Sequence, residues 1–174
     1  MYNNFKSYQS KKFSEVIIIE PSTFSDDRGI IFTDYLDSYF IKKFNPSLKF
    51  NHSKFALNNA RVLRGIHGDY DSYKLVQCVY GDIFQVIVDC RKDSPQYLVH
   101  ETFKLSHKRP KMILLPPGFG NAFMVLSEYA VYNYKLSYKG SYNDHDNQFT
   151  YKWNNSIINI NWPNIDPILS ERDK

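Results

Sequence analysis

Four stretches of this 174-residue chain set ionisable or hydrogen-bonding side chains inside otherwise apolar runs. They are Val62–His67 (VLRGIH), the run YKLVQ that carries Lys74, Pro116–Phe123 (PPGFGNAF), and AVYNYKLSY with Tyr134 and Lys135. Taken singly, each has an ordinary explanation: a satisfied structural histidine, a solvated strand lysine, a core tyrosine with its hydroxyl at the rim. Taken together they offer a base, a cation and an acid on neighbouring β elements of one small protein. Those types suit one kind of chemistry, removal of the weakly acidic proton on a carbon beside a ketone. Histidine titrates near neutral pH and can take that proton. A buried ammonium such as Lys74 would hold the resulting enolate more tightly than the neutral ketone, which is the differential binding that catalysis requires. A tyrosine hydroxyl on the opposite face could return a proton and so invert the carbon. A carboxylate behind the histidine would orient it.

Short strands must position these groups. Glu15–Glu20 (EVIIIE) reads as a buried strand, Pro21–Gly29 (PSTFSDDRG) as turn material, and Ile30–Thr33 as another strand. Leu36, Tyr39, Phe40 and Phe44 recur at helical spacing until Asn45-Pro46 stops the run, which predicts one short helix acting as a packed lid. Further strands are predicted over Phe50–Leu57, Val62–His67, Lys74–Tyr80, Ile83–Cys90, Val99–Leu105, Met112–Leu115, Ala122–Leu126 and Ala130–Tyr138. Gly81-Asp82 between two of them is a hairpin signal. Short strands at this spacing indicate an all-β sandwich or barrel. One geometric difficulty stands out. Arg64 and His67 would point to opposite faces of a regular strand, so Gly65 must mark a bulge or bend if both are to reach one cavity.

Composition narrows the class. The length fits a single domain over 1–174, and 43% hydrophobic against 23% charged residues describes a globular chain rather than a disordered one. Aromatics at 17% favour strands and supply flat surfaces on which sugars and bases stack. A net charge of +4 favours anionic ligands but lacks the clustered basic stripes of nucleic-acid binders. Cys78 and Cys90 lie within strand-like runs without metal-ligand spacing, and no apolar run is long enough to span a membrane. A cytoplasmic protein with free thiols is the simplest expectation.

In register along nearly the whole chain, FSDDRGIIFTDY, NHS, VLRGIH, KLVQCVYGDIFQVIVDCRKDSP, LLPPGFGNAFMVLSEYAVYNYK, NINWP and LSERD resemble the dTDP-4-dehydrorhamnose 3,5-epimerases and their RmlC-like relatives. The resemblance implies an all-β cupin-type β-barrel (jelly roll) with a few short helices. It also implies a homodimer, no metal and no redox cofactor. It implies His67 as base, Asp173 in LSERD as the carboxylate behind it, Lys74 beside the C4 ketone oxygen and Tyr134 as the opposite-face acid. Arg28 and Arg64 match arginines that hold the diphosphate, a role suited to the planar guanidinium fork. Asn51 matches a substrate-contacting position, and Phe24 and Tyr138 match nucleotide contacts. The implied substrate is a nucleotide-diphosphate 4-keto-sugar, inverted at C3 and/or C5 on the way to a surface polysaccharide such as capsule or lipopolysaccharide.

The chain also departs from the family pattern. Where the family reads GFAHGF, Phe119–Phe123 read FGNAF, so Asn121 stands in place of a histidine and cannot take up a proton near neutral pH. The stretch after His67, GDYDSY, is short and starts with Gly68 instead of an aromatic, which predicts a sugar pocket that is wider or differently closed. A small insertion falls around SYNDHDN. Together these point to a different sugar nucleotide, with a GDP-linked 4-keto-heptose as the candidate. Three rivals are weighed against this reading. A metal-dependent cupin needs clustered histidines, whereas His52, His100, His107 and His145 are scattered. A 3,4-ketoisomerase of the same barrel would move the carbonyl. A non-catalytic sugar-nucleotide binding cupin would need the arginines but not His67, Lys74, Tyr134 and Asp173 together.

Overall fold

The computed structural model describes residues 4–45, 47–140 and 147–174. Two antiparallel sheets face each other. The larger has the strand order β1 (Phe5–Gln9), β2 (Ile17–Pro21), β10 (Met112–Leu115), β7 (Tyr73–Tyr80), β12 (Tyr129–Ser137), β5 (His52–Asn59). The smaller runs β13 (Phe149–Thr150), β6 (Leu63–Gly68), β11 (Phe119–Val125), β8 (Asp82–Asp89), β9 (His100–Ser106). A separate hairpin joins β3 (Thr23–Asp26) to β4 (Gly29–Phe32). This is the cupin-type, all-β architecture expected from the sequence. Among the described residues no helix is long and apolar enough to cross a membrane.

The apolar runs are nearly continuous because the sheets are covered on both faces. Between the sheets lie Val76, Cys78, Ile83, Ile87, Ile113, Leu115, Phe123 and Tyr132. Their sequence neighbours point the other way. Val86, Val88, Ala122 and Met124 on the outside of the smaller sheet are covered by the C-terminal segment through Ile158 and Trp162. Leu75, Met112 and Leu114 on the outside of the larger sheet are covered by α1 (Asp37–Lys43) through Phe40. On β7, β8, β10 and β11 period-two alternation therefore sorts side chains between an inner and an outer core, whereas on the edge strand β5 it leaves Phe55 and Leu57 exposed. The helix is the packing element its spacing predicts; Pro46, read as its stop, lies outside the described residues.

β1, a strand that the sequence reading does not predict, pairs with β2 from Phe5↔Pro21 to Gln9↔Ile17. Two local expectations are corrected. Pro21–Gly29 is mostly strand: β3 pairs with β4 across a turn at Asp27-Arg28, where the backbone N–H and Nε of Arg28 donate to Asp26. Gly81-Asp82 is not a hairpin, because β7 and β8 belong to different sheets and do not pair. Gly81 is instead a corner at which the chain crosses the barrel. Its φ of +80° is left-handed, and a Cβ there would stand 2.2 Å from the Tyr129 carbonyl and 2.6 Å from the Ser127 hydroxyl. The dipeptide signals a tight turn, but only the pairing partners of the flanking strands decide whether that turn closes a hairpin. Gly81→Ala should therefore lose about 2 kcal/mol or more of stability, from backbone strain plus overlap. Chemical denaturation would show this as a lower midpoint with an unchanged slope.

Candidate active site

The strand alternation delivers the chemical groups to one end of the barrel interior. On β7, Lys74 shares its parity with the inner residues Val76 and Cys78. On β12, Tyr134 shares its parity with Ala130 and Tyr132, and it pairs directly with Val76. On β11, Asn121 shares its parity with Phe119 and Phe123. The fourth strand, β6, needs a device. Its pairing with β11 slips between Phe123↔Arg64 and Asn121↔His67, so Gly65 and Ile66 together oppose Ala122 alone. This extra residue resets the alternation and puts Arg64 and His67 on the same, inner face. Only glycine fits at the slip: φ is +117°, and a Cβ would come within 2.5 Å of both the Ala122 Cβ and the Asn121 carbonyl.

The result is a cavity of about 530 Å³ lined by Arg64, His67, Lys74, Asn121, Tyr134 and Asp173, among others. That size suits a small ligand. His67 Nε2 lies 2.7 Å from Asp173 Oδ1, and the Ser170 hydroxyl donates to the other carboxylate oxygen at 2.8 Å. Asp173 is held firmly although it is the penultimate residue. Ile168 bridges to Val62 at the start of β6, and Arg172 donates to the Thr150 hydroxyl at 2.9 Å. Burial pushes the Asp173 carboxyl pKa up, but His67, Ser170 and the Gly65 backbone together outweigh it and hold it below the usual carboxylate range. Lys74 Nζ lies 3.1 Å from Asp69 Oδ2, with both side chains less than a tenth exposed. Burial pulls the Lys74 pKa down, and Asp69 opposes that shift. Arg64 Nε donates to Asn58 Oδ1 at 2.8 Å. Asn121 Oδ1 accepts from Gln85 Nε2 at 2.7 Å and from the Tyr132 hydroxyl at 3.1 Å. The Tyr132 phenol is fully buried, and burial drives its pKa far above the ordinary value. Among the described residues, no three His, Cys, Asp or Glu side chains are grouped to hold a metal ion.

Of the ten residues expected at the site, six line this cavity: His67, Lys74, Tyr134, Asp173, Arg64 and Asn121. The other four do not. Arg28 and Phe24 sit on the exposed β3–β4 hairpin, bordering a separate shallow hollow. Tyr138 lines an adjoining cavity of about 470 Å³ that shares Gln148 with the first, and it hydrogen-bonds His52 at 3.3 Å. Asn51 is exposed just ahead of β5 and outside the lining. Of the two expectations at Gly68, a wider or a differently closed pocket, the packing fits the second. A Cβ there would meet the Phe149 ring at 2.3 Å and the Phe119 carbonyl at 2.5 Å, so an aromatic from another strand already fills that space. Phe149 packs against Tyr70 at 5.2 Å between ring centroids. Most of the SYNDHDN insertion lies outside the described residues.

Sequence reading missed the supporting groups Asp69, Asn58, Gln85 and Ser170. Asp69 carried a usable signal: an aspartate opening a turn, accepting backbone N–H groups two and three residues on, between the histidine strand and the lysine strand. The others depend on pairings across the barrel, which no local pattern encodes.

Comparison with known proteins identifies the family. The dTDP-4-dehydrorhamnose 3,5-epimerase family profile matches residues 10–174. The dTDP-4-dehydrorhamnose 3,5-epimerase of Salmonella typhimurium is 36% identical over 166 residues, covering 91% of this chain and 87% of that one. The dTDP-6-deoxy-D-glucose-3,5-epimerase RmlC of Legionella pneumophila, solved with dTDP-4-keto-L-rhamnose, superposes with a TM-score of 0.90 at 26% identity, covering 98% of this chain and 90% of that one. ChmJ, a 3'-monoepimerase of Streptomyces bikiniensis solved with dTDP-quinovose, gives a TM-score of 0.85 at 26% identity, covering 95% and 84% of the two chains. Fold and site define a cupin-type epimerase, an enzyme of the isomerase class. The chain belongs to the dTDP-4-dehydrorhamnose 3,5-epimerase family.

The Asp173 carboxylate sets an acid limit. Its folded pKa lies below the ordinary value of 3.8, so its contribution to stability is complete above 3.8 and is lost as pH falls through the folded value. The stability gap between wild type and Asp173→Asn should accordingly narrow below pH 3.8, as followed by urea denaturation across the acid range.

Proposed function

We propose that this enzyme inverts C3, C5 or both on a nucleoside-diphosphate 4-keto-sugar through an enolate, with His67 as base and Tyr134 as acid. One observation supports it above the rest: His67 backed by Asp173, Lys74 and Tyr134 come from three strands of two sheets to line one cavity. His67 takes the proton from the carbon beside the ketone as that C–H bond breaks. The electron pair becomes the C=C bond, and the carbonyl π pair moves onto oxygen, where the Lys74 ammonium receives it. The Asp173 carboxylate stabilises the imidazolium that forms. Tyr134 then gives its proton to the opposite face of the same carbon, and the carbonyl is restored at C4. A 3,4-ketoisomerase would instead leave the carbonyl at C3.

Arg64 with Arg172 makes the cavity electropositive, which suits a diphosphate. Arg28 and Phe24 contribute as the sequence resemblance implies if their hairpin reaches the cavity of a second copy in a homodimer. The exposed Ile30 and Ile31 on that hairpin support such a contact. For the sugar, the smaller Asn121 and the adjoining cavity beyond Gln148 support a substrate with a longer arm at C6, such as GDP-4-keto-heptose. The dTDP ligands of the Legionella and ChmJ relatives support a dTDP-linked 4-keto-6-deoxy sugar as the second reading. The product would feed a surface polysaccharide, made in the cytoplasm where the free thiols Cys78 and Cys90 stay reduced.

Two outcomes are expected in D2O. His67→Asn should fold normally and lose deuterium incorporation at every inverted carbon, while Tyr134→Phe should slow inversion more than exchange. Near-normal turnover by His67→Asn, read by NMR of the product, would remove the base assignment. Across a panel of GDP- and dTDP-linked 4-keto sugars, kcat/KM should be highest for the seven-carbon GDP substrate. A preference for dTDP-4-keto-6-deoxyglucose would favour the second reading.

A further inference from the structure

The cavity needs Lys74 as an ammonium, yet the barrel buries it, and a buried amine without a counter-ion sheds its proton. We propose that Asp69 is a positioning residue that keeps Lys74 charged and directs its Nζ toward the carbonyl oxygen of the substrate. The proposal rests on the reading of Lys74 given above and adds a group outside the residues that touch substrate.

The geometry is built for this purpose. Asp69 Oδ2 lies 3.1 Å from Lys74 Nζ, and the two side chains are only 5% and 8% exposed. The other carboxylate oxygen accepts the backbone N–H of Asp71 at 3.1 Å and of Ser72 at 2.6 Å, so the carboxylate cannot swing away. The Asp69 carbonyl is pinned in turn by the Gly118 N–H at 2.7 Å. Asp69 borders the adjoining cavity, whereas Lys74 faces the catalytic one, so the ion pair spans the wall between them. One face of the ammonium is thus occupied from behind, leaving its remaining N–H groups for the substrate side.

The other groups around Lys74 do not substitute for Asp69. Cys90 is a buried thiol, pushed up to about 12 by burial, and stays neutral at working pH. Arg172 acts on Lys74 with the same sign and disfavours its charge. Asp173 is engaged with His67 and Ser170. Asp69 is the carboxylate in contact with Lys74, and it lies two residues beyond His67. One strand end therefore supplies both the base and the counter-ion of the oxyanion donor.

The test uses the intact chain and Asp69→Asn, whose amide oxygen can still accept the turn's N–H groups. Asp69→Ser, with a hydroxyl acceptor, serves the same comparison should the first variant not fold. The Lys74 Nζ is titrated by ¹⁵N NMR without substrate, and kcat for the 4-keto sugar is measured against pH. Loss of the carboxylate should move the Lys74 midpoint down by about 1–3 pH units. Because the ammonium is the active form, the alkaline limb of kcat should move to lower pH with it. In the background of Lys74→Met, the same Asp69 substitution should change kcat less than twofold. An unchanged Lys74 midpoint would overturn the proposal directly. A midpoint that falls while the kcat profile stays fixed would sink the ketone-side role of Lys74, and the positioning role with it. A large further loss of kcat in the double variant would show a structural role independent of Lys74 and would also overturn it.

Discussion

The site depends on a one-residue slip in a β-ladder. Arg64 and His67 are three positions apart, an odd interval that a regular strand sends to opposite faces. The slip against Ala122 turns the interval even in effect and puts both on the inner face, opposite Phe123 and Asn121. Gly65 makes the slip possible, because the approach of Ala122 and the Asn121 carbonyl leaves no room for a Cβ. A functional demand is met here by local irregularity, while the flanking ladder stays regular enough to keep the position rigid.

Around that irregularity the barrel is over-determined. Part of each outer face is buried as well, that of the larger sheet around Leu75, Met112 and Leu114 under α1 and that of the smaller under the C-terminal segment. That segment does more than cover a sheet. By pairing Ile168 with Val62 and anchoring Arg172 on Thr150, it carries the end of the chain to the histidine strand, where Asp173 is almost wholly buried. The carboxylate partner of His67 is thus supplied by the same packing that closes the outer core. A comparable economy governs Lys74, whose partner Asp69 sits in the turn joining its strand to that of His67.

Much of this was readable in the sequence, for identifiable reasons. The sequence pattern places Met112–Leu115 to the residue, and the other predicted strands within a few positions, because apolar runs bounded by turn residues are local signals. The need for a distortion at Gly65 followed from parity alone. The convergence of Lys74, Tyr134 and His67 was legible because several motifs stood in register, although none would have sufficed singly. What failed was non-local. Whether Gly81 closes a hairpin or turns a corner depends on which sheet accepts each flanking strand. Which side chain closes the space beside Gly68 is likewise set by Phe149, some eighty residues later in the chain. Asn51, Tyr138, Phe24 and Arg28 have the expected residue types but stand outside the cavity of their own chain, and sequence order carries no information on that distance.

The most direct measurement is a crystal structure of the chain with an unreactive nucleoside-diphosphate sugar bearing a C4 hydroxyl in place of the ketone, in dTDP- and GDP-linked forms. The account predicts the sugar ring between His67 and Tyr134, with C3 or C5 facing each from opposite sides and O4 within hydrogen-bond reach of Lys74 Nζ. A ring bound outside this cavity, or with His67 and Tyr134 on the same face, would contradict it.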